Sequence, residues 1–377
     1  MKNVTVLGST GSIGRQALDV IRMHPELFRL RGLGAHASTE LFTEQLNIWR
    51  PALAAFSVPL GDTGDTKLFT GPDAAERLAE DPETDIIIMG ISGFAALRPL
   101  LAALKAGKRV ALANKESIVC GGKLVKEALL SGGEILSVDS EQSAIFQCLK
   151  NGRREEVSKL LLTASGGPFR EKKREELANI TPEQAVAHPT WSMGRKISLD
   201  SATMFNKGLE VMEAAGLFDF PGEKIEVLIH PQSVVHSMVE FRDGTVMADM
   251  GPTDMRLAIQ YAMTYPDRIP SPAGTLSWER TAPLTFIKPS FERFPALKMA
   301  YECLRLGRCY PAVYNGANEQ AAALFFEGRI RFTEIEECVF SALDAFSGMD
   351  DGTWENVLEA DGFAREKALQ WARKREN

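Results

Sequence analysis

Short apolar runs alternate with helical patterns through the first 139 residues, and that alternation leaves few folds open. The apolar runs are Val4–Leu7, Leu30–Ala35, Ala52–Phe56, Asp85–Met89, Arg109–Ala113 and Ile135–Val138. Helical patterns lie between most of them, including Ile13–Met23, Ala95–Ala106 and Lys123–Leu130. The expected fold class is α/β, with a Rossmann-like doubly wound parallel sheet. Such sheets place their chemistry at the C-terminal ends of the strands.

The first strand runs into Gly8-Ser9-Thr10-Gly11-Ser12-Ile13-Gly14, spaced GxxGxxG. Glycines there permit a tight turn and close backbone approach to a pyrophosphate, which then sits at a helix N-terminus. Thr10 and Ser12 add hydroxyl donors. Because the motif follows a strand and opens a helix, it reads as a dinucleotide site rather than a plain turn. The second strand leads into Gly34-Ala35-His36-Ala37-Ser38, with no acid before Glu40. An acid at that place holds the ribose 2′-hydroxyl of NAD and would repel a 2′-phosphate. His36 and Ser38 can donate to such a phosphate, which leans the pattern towards NADPH, although His36 also suits an exposed loop. Asn114, Lys115 and Glu116 follow the run Arg109–Ala113. They suit a shared cofactor and substrate contact, and equally a helix start with Asn114 as N-cap.

The run Ile135–Val138 delivers Asp139, Ser140 and Glu141 to a strand end, ahead of a helical pattern from Ala144. Carboxylates this close raise each other's pKa unless a cation neutralises them. A hard divalent cation does so through oxygen ligands, which predicts half of a Mg²⁺ or Mn²⁺ site. Glu210 is the third acid. In a helix expected from Ser201, Phe205, Leu209 and Met212 form one apolar stripe, with Thr203, Asn206, Lys207 and Glu210 opposite. Asn206, Lys207 and Glu210 stand at spacings that let their side chains converge. A solvated face with a Lys–Glu pair produces the same spacing. Ser201, at the expected helix start, suits an N-cap or a phosphate ligand.

Leu160–Ala164 reads as a strand, and the loop Ser165-Gly166-Gly167-Pro168 after it can form an anion nest; an ordinary turn explains the glycines equally well, but not the serine beside them. The stretch His188–Gly194 has no helix or strand period and carries Trp191. A lid over a small substrate has that texture, as does a fixed loop with Trp191 in the core. Lys224–Ile229, Val234–Phe241 and Thr245–Asp249 read as a sheet, with a turn at Asp243-Gly244. A zinc site from His230 and His236 would need a third ligand, so both are read as structural. Residues 265–294 are rich in Pro, Ser and Thr and suit a linker. Helical patterns then run over Leu297–Leu306, Asn315–Phe326, Glu334–Phe346 and Trp354–Lys374. The expected division is a cofactor domain over 1–139, a catalytic domain over 140–264, a linker over 265–294 and a C-terminal helical domain over 295–377.

A net charge of −7 argues against a broad nucleic-acid surface. The five cysteines are odd in number and lack a CxxC pair, so neither a disulfide framework nor a zinc ribbon is indicated. No apolar run reaches the length of a membrane span. The apolar strand at Val4 leaves no signal or transit peptide before the fold. A cytoplasmic enzyme with no nucleic-acid and no membrane partner is expected.

Taken together, the blocks Gly8–Gly14, Ala113–Ser117, Val138–Gln147, Thr163–Arg170, His188–Lys196, Lys196–Ala214 and His230–Met238 resemble the 1-deoxy-D-xylulose 5-phosphate reductoisomerase family. The resemblance covers nearly the whole chain and is weakest in the C-terminal helices. It implies a homodimer that rearranges and reduces 1-deoxy-D-xylulose 5-phosphate to 2-C-methyl-D-erythritol 4-phosphate with NADPH and Mg²⁺, Mn²⁺ or Co²⁺. By the same resemblance, Asp139, Glu141 and Glu210 hold the metal, and Ser165, Ser201, Asn206 and Lys207 bind the substrate phosphate. Lys115, Ser140 and His188 contact the substrate, and Trp191 belongs to the lid. Thr10, Gly11, Ser12, Ile13, Asn114, Glu116 and Gly194 contact the cofactor, with His36, Ala37 and Ser38 at its 2′-phosphate. Family members commonly carry Gly-Lys-Asn at these last three positions, so this chain lacks the lysine. Two simpler readings share the glycine turn: a sugar-phosphate dehydrogenase without rearrangement, and a non-catalytic cofactor sensor. Neither needs three converging carboxylates.

Overall fold

The computed structural model describes residues 1–188, 191, 193–281 and 283–376. It divides into two compact units. The first comprises Met1–Ser117, Lys123–Ser143 and Asp254–Thr275; the second comprises Ile118–Gly122, Ala144–Thr253 and Leu276–Asn377.

The first unit is built on strands β1 (Lys2–Leu7), β2 (Phe28–Gly34), β3 (Leu53–Phe56), β4 (Lys67–Thr70), β5 (Ile86–Met89), β6 (Arg109–Leu112) and β7 (Glu134–Ser137). They form one sheet in the order β4-β3-β2-β1-β5-β6-β7, parallel at every pairing. The doubly wound sheet expected from the alternation is present. Val4, Val6 and Leu7 of β1 and all of β5 are buried, as strands covered on both faces require. β4 escaped the sequence reading because it is a short edge strand, Lys-Leu-Phe-Thr, with no continuous apolar run. From β1 the chain winds outward through β2 to β4, then returns to lay β5 on the other side of β1. That reversal opens a crevice at the C-terminal strand ends. Residues after Asp254 rejoin this unit through satisfied polar contacts. His24 Nε2 lies 3.1 Å from Gln260 Oε1, and an Arg109 N–H donates to the Tyr265 carbonyl.

The second unit contains strands β8 (Val157–Ala164), β9 (Ile225–Ile229), β10 (Val235–Phe241) and β11 (Val246–Met250). Their order is β11-β10-β8-β9; β8 and β9 are parallel, and the other pairs antiparallel. Leu160, Leu162, Val227 and Val239 share a core with Val211 and Ala214 of the helix Phe205–Phe218, and with Leu297 of the helix Pro295–Leu306.

The helix expected from Ser201 is instead two helices, Arg195–Thr203 and Phe205–Phe218. Met204 sits between them at φ 63°, in the left-handed region. The stripe Phe205, Leu209 and Met212 sets only the second helix. The Met204 side chain is buried in the same core, and that burial offsets a left-handed cost of about 1–2 kcal/mol. Ser201 therefore lies in the last turn of the first helix and is not an N-cap.

The helix Trp354–Glu376 buries Val357, Ala360, Ala364, Ala368 and Ala372, a small-residue stripe that lets helices approach closely. A Cβ at Gly316, on the helix Tyr310–Phe326, would stand 2.8 Å from Asp361 Oδ1. Phe205 packs on Tyr314 with ring centroids 5.1 Å apart, and the Tyr314 hydroxyl donates to the Ala296 carbonyl at 3.1 Å. Gly208 is the point of closest approach: a Cβ there would lie 2.3 Å from the Tyr314 hydroxyl and 3.0 Å from Ala300 Cβ. Alanine in place of a helical glycine ordinarily gains about 1 kcal/mol. Overpacking costs about 1–3 kcal/mol, and a displaced buried hydrogen bond adds to it. Gly208→Ala is therefore expected to destabilise the protein by about 1–2 kcal/mol in urea denaturation; a gain in stability would mean that the Tyr314 hydroxyl moves without cost.

Candidate functional site

In the first unit, a cavity of about 640 Å³ opens where β1 to β5 end. Its walls include Gly8, Thr10, Gly11, His36, Ala37, Gly90, Ile91 and Ser92. The turn that forms its floor has no room for side chains. Gly8 has φ 83°, and a Cβ there would be 2.4 Å from the Gly90 carbonyl oxygen. A Cβ on Gly14 would be 2.3 Å from the Gly8 carbonyl oxygen. The helix Ser12–Met23 begins at this turn without a side-chain cap, so its first N–H groups are available to an anion. His36, Ala37 and Ser38 are exposed. Among the described residues, neither a lysine, an arginine nor a carboxylate lines the cavity. Gly90, Ile91 and Ser92 were missed from the sequence. The signal was a second glycine-containing turn, Gly90-Ile91-Ser92-Gly93, at the end of the buried run Asp85–Met89.

Asn114 caps the helix Lys115–Leu129 by accepting the Ser117 N–H at 2.8 Å. Its amide donates to Glu116 Oε2 and to the Gly93 carbonyl. The buried Lys115 ammonium is ion-paired with Asp139. Ser140 and Glu141 open the helix Ser140–Leu149; the Ser140 hydroxyl donates to Glu141 Oε2 at 2.6 Å, and the Glu141 N–H donates to Asp139 Oδ1 at 3.3 Å.

In the second unit, Asn206, Lys207 and Glu210 do not form a solvated face. Lys207 and Glu210 are buried and ion-paired. The Lys207 ammonium also donates to the Thr163 carbonyl on β8, and the Asn206 amide donates to Glu210. The Ser165 loop turns through Gly166 and Gly167, both with positive φ, and a Cβ on Gly167 would lie 2.6 Å from the Ser201 carbonyl oxygen. The loop therefore lies against the helix that carries Ser201. Gly194 is the exposed N-cap of that helix.

His188 links this loop to the segment expected to be a lid. The Trp191 N–H donates to His188 Nδ1 at 2.9 Å, which makes Nδ1 an acceptor. The neutral ring then carries its proton on Nε2, which donates to Ser165 Oγ at 2.9 Å. Ser165 Oγ also accepts the Gly167 N–H at 3.2 Å. Burial first, and the Arg170 charge second, push the His188 pKa below 6.5, favouring this neutral form. The Trp191 ring is half-buried, 6.2 Å from the His236 ring. Pro189, Thr190 and Ser192 of the expected lid lie outside the described residues. His230 accepts the N–H groups of Val234 and Val235 on Nε2 and contacts the Thr285 carbonyl through Nδ1. Those contacts explain it as a structural histidine.

Three family profiles match the chain. That of 1-deoxy-D-xylulose 5-phosphate reductoisomerase matches residues 4–122, and those of its C-terminal domains match 135–218 and 250–367. A 1-deoxy-D-xylulose 5-phosphate reductoisomerase of Chlorobaculum tepidum is 46% identical over 98% of this chain and 99% of its own length. One of Bacillus thuringiensis subsp. konkukian is 44% identical over 98% of both chains. The chain belongs to the 1-deoxy-D-xylulose 5-phosphate reductoisomerase family. Solved reductoisomerases share its fold. One in complex with NADPH, fosmidomycin and magnesium superposes with a TM-score of 0.95 at 36% identity, over 100% of both chains. The Zymomonas mobilis reductoisomerase in complex with NADPH gives 0.91 at 40% identity, over 98% of this chain and 99% of that one.

The depressed His188 pKa has a pH signature. The unfolded chain takes up the proton first, so stability is lost as pH falls below 6.5 and is unaffected above it. Urea denaturation from about pH 8 to about pH 5 should show that acid-side loss, and His188→Gln should reduce it, leaving the part that His230 and His236, also pushed down by burial, contribute. An unchanged slope in the variant would exclude a depressed His188.

Proposed function

We propose that Asp139, Glu141 and Glu210 bind the divalent ion with which this chain converts 1-deoxy-D-xylulose 5-phosphate to 2-C-methyl-D-erythritol 4-phosphate. The conversion depends on NADPH and belongs to the non-mevalonate route of isoprenoid biosynthesis. What supports the assignment is the close pair Asp139 and Glu141 at the end of β7, the buried Glu210 on its helix, and the magnesium named in the complex of a solved reductoisomerase 36% identical to this chain. Such a cluster repels itself unless cations neutralise it. Its donors are all oxygen, which suits Mg²⁺ or Mn²⁺, with Co²⁺ also admitted. NADPH suits the crevice of the first unit, whose glycine turn closes this tightly on its own backbone only because Cβ atoms are absent. When bound, the ion supplies Lewis acidity at the substrate carbonyl and the nicotinamide supplies the hydride.

The remaining steps fall to side chains. Ser165 Oγ accepts from both His188 Nε2–H and Gly167 N–H, so its own hydrogen is directed elsewhere and suits a phosphate oxygen. Ser201, Asn206 and Lys207 are the further phosphate ligands. Gly166 and Gly167 hold that loop in a shape that other residues rarely adopt. Binding energy gained at the remote phosphate orients the reacting carbons. His188 ties the phosphate loop to the Trp191 backbone, so phosphate capture and closure of the 188–194 segment are mechanically linked. Closure excludes water while the carbon skeleton is broken and rejoined. Lys115 and Ser140 contact the substrate. Thr10 to Ile13, Asn114, Glu116 and Gly194 contact NADPH, and His36, Ala37 and Ser38 face its 2′-phosphate without a lysine among them.

By function the chain divides into a cofactor part (1–139), a catalytic part (140–264), a linker (265–294) and a helical part (295–377) whose first helix backs the catalytic helix. Among the described residues no helix is long and apolar enough to cross a membrane. We assign the chain to the cytoplasm and to a homodimer, for which sedimentation should give twice the 41.4 kDa chain mass; a monomer at micromolar concentration would refute the dimer.

Glu210→Gln keeps the size of the side chain and removes its charge. It is expected to lower turnover by at least about a hundredfold, more than 2.7 kcal/mol of transition-state stabilisation, with NADPH affinity unchanged. NADPH oxidation with saturating Mg²⁺ tests the first part and cofactor fluorescence the second. Wild-type turnover would remove Glu210 from the metal set.

A further inference from the structure

The two buried carboxylates proposed to hold the ion each carry an ammonium partner from within their own unit. Lys115 Nζ sits on Asp139 Oδ2, and Lys207 Nζ sits on Glu210 Oε2. Asp139 is 9% exposed and Glu210 1%, while the two lysines are 5% and 2% exposed. Lysine is almost never this buried unless it is paired, because its ammonium gives up strong hydration. The Lys207 ammonium is held further by the Thr163 carbonyl, and the chain places it with a β8 contact that an exposed lysine could not make.

A divalent ion on these carboxylates meets two positive charges already in contact with the oxygens it needs. Like charges at that distance in a dry site repel strongly. We propose that Lys115 and Lys207 are resident counter-cations, which hold Asp139 and Glu210 until a divalent ion displaces them. Metal binding is then an exchange. The ion takes over the carboxylates, and two ammonium groups are released for the anionic sugar phosphate. The exchange gives binding an order, metal before substrate, and lets the carboxylate cluster fold without metal. The inference rests on the metal assignment made above.

Lys115→Gln and Lys207→Gln each keep a hydrogen-bond donor for the carboxylate and remove the positive charge. Mn²⁺ binding is measured by electron paramagnetic resonance on the full-length chain, without NADPH or substrate, at about pH 8, where carboxylates stay ionised. Each variant should bind Mn²⁺ about tenfold more tightly than wild type, or about 1.4 kcal/mol. Each should also melt at a lower temperature in EDTA and recover more on adding Mn²⁺. Equal or weaker Mn²⁺ affinity in the folded variants overturns the proposal; if one variant does not fold, the other decides alone. Asp139→Asn separates the two readings. If it binds Mn²⁺ as wild type does, the metal assignment itself fails. If it loses Mn²⁺ while the lysine variants match wild type, only the counter-cation role fails.

Discussion

Charge buried without water is the constraint to which the second unit is fitted. Lys207 and Glu210 sit on one helix, three residues apart, in a place where each ion alone would be strongly disfavoured. The helix Phe205–Phe218 can hold them there only because it is clamped on several sides. Val211 and Ala214 pack with β8, β9 and β10, and the helices Pro295–Leu306 and Tyr310–Phe326 press on Gly208 and Phe205. The C-terminal helices, far from the chemistry in sequence, thus fix the rotation of the helix that bears Glu210. Buried polar groups such as Tyr314 and Gln260 find partners within their own units, which keeps the cost of these interiors low.

Close backbone approach is the second theme. Where this chain is proposed to touch an anion, it removes side chains instead of adding charge. Gly8 and Gly14 let the first turn fold against the Gly90 carbonyl and itself. Gly166 and Gly167 let the Ser165 loop rest on the backbone at Ser201. In both places the proposed donors are backbone N–H groups and hydroxyls. Among the described residues, the cavity proposed for the cofactor has no lysine, arginine or carboxylate on its walls, which suits recognition by shape and hydrogen bonds.

His188 joins these themes. Its ring accepts a hydrogen bond from the Trp191 backbone on one side and donates one to Ser165 on the other, so one tautomer serves both contacts. Protonation would add a second ring donor and break the Trp191 contact. Burial and Arg170 oppose that protonation near neutral pH.

The parallel sheet, the glycine turn and the acids at the end of β7 were legible in the sequence, because each depends on near neighbours: a run of apolar residues, a tight turn, two carboxylates beside a strand end. The edge strand β4 was not, since half-exposed Lys-Leu-Phe-Thr has no distinguishing period. The break at Met204 was not, since a left-handed methionine is set by the core it fills and not by local preference. The Lys207–Glu210 pair was written at helical spacing, but spacing alone fits a wet surface equally well. Only the tertiary structure decided that the pair is buried and that Thr163 and Asn206 share it. Periodicity records which face of an element is apolar; what that element is packed against depends on contacts between residues distant in sequence.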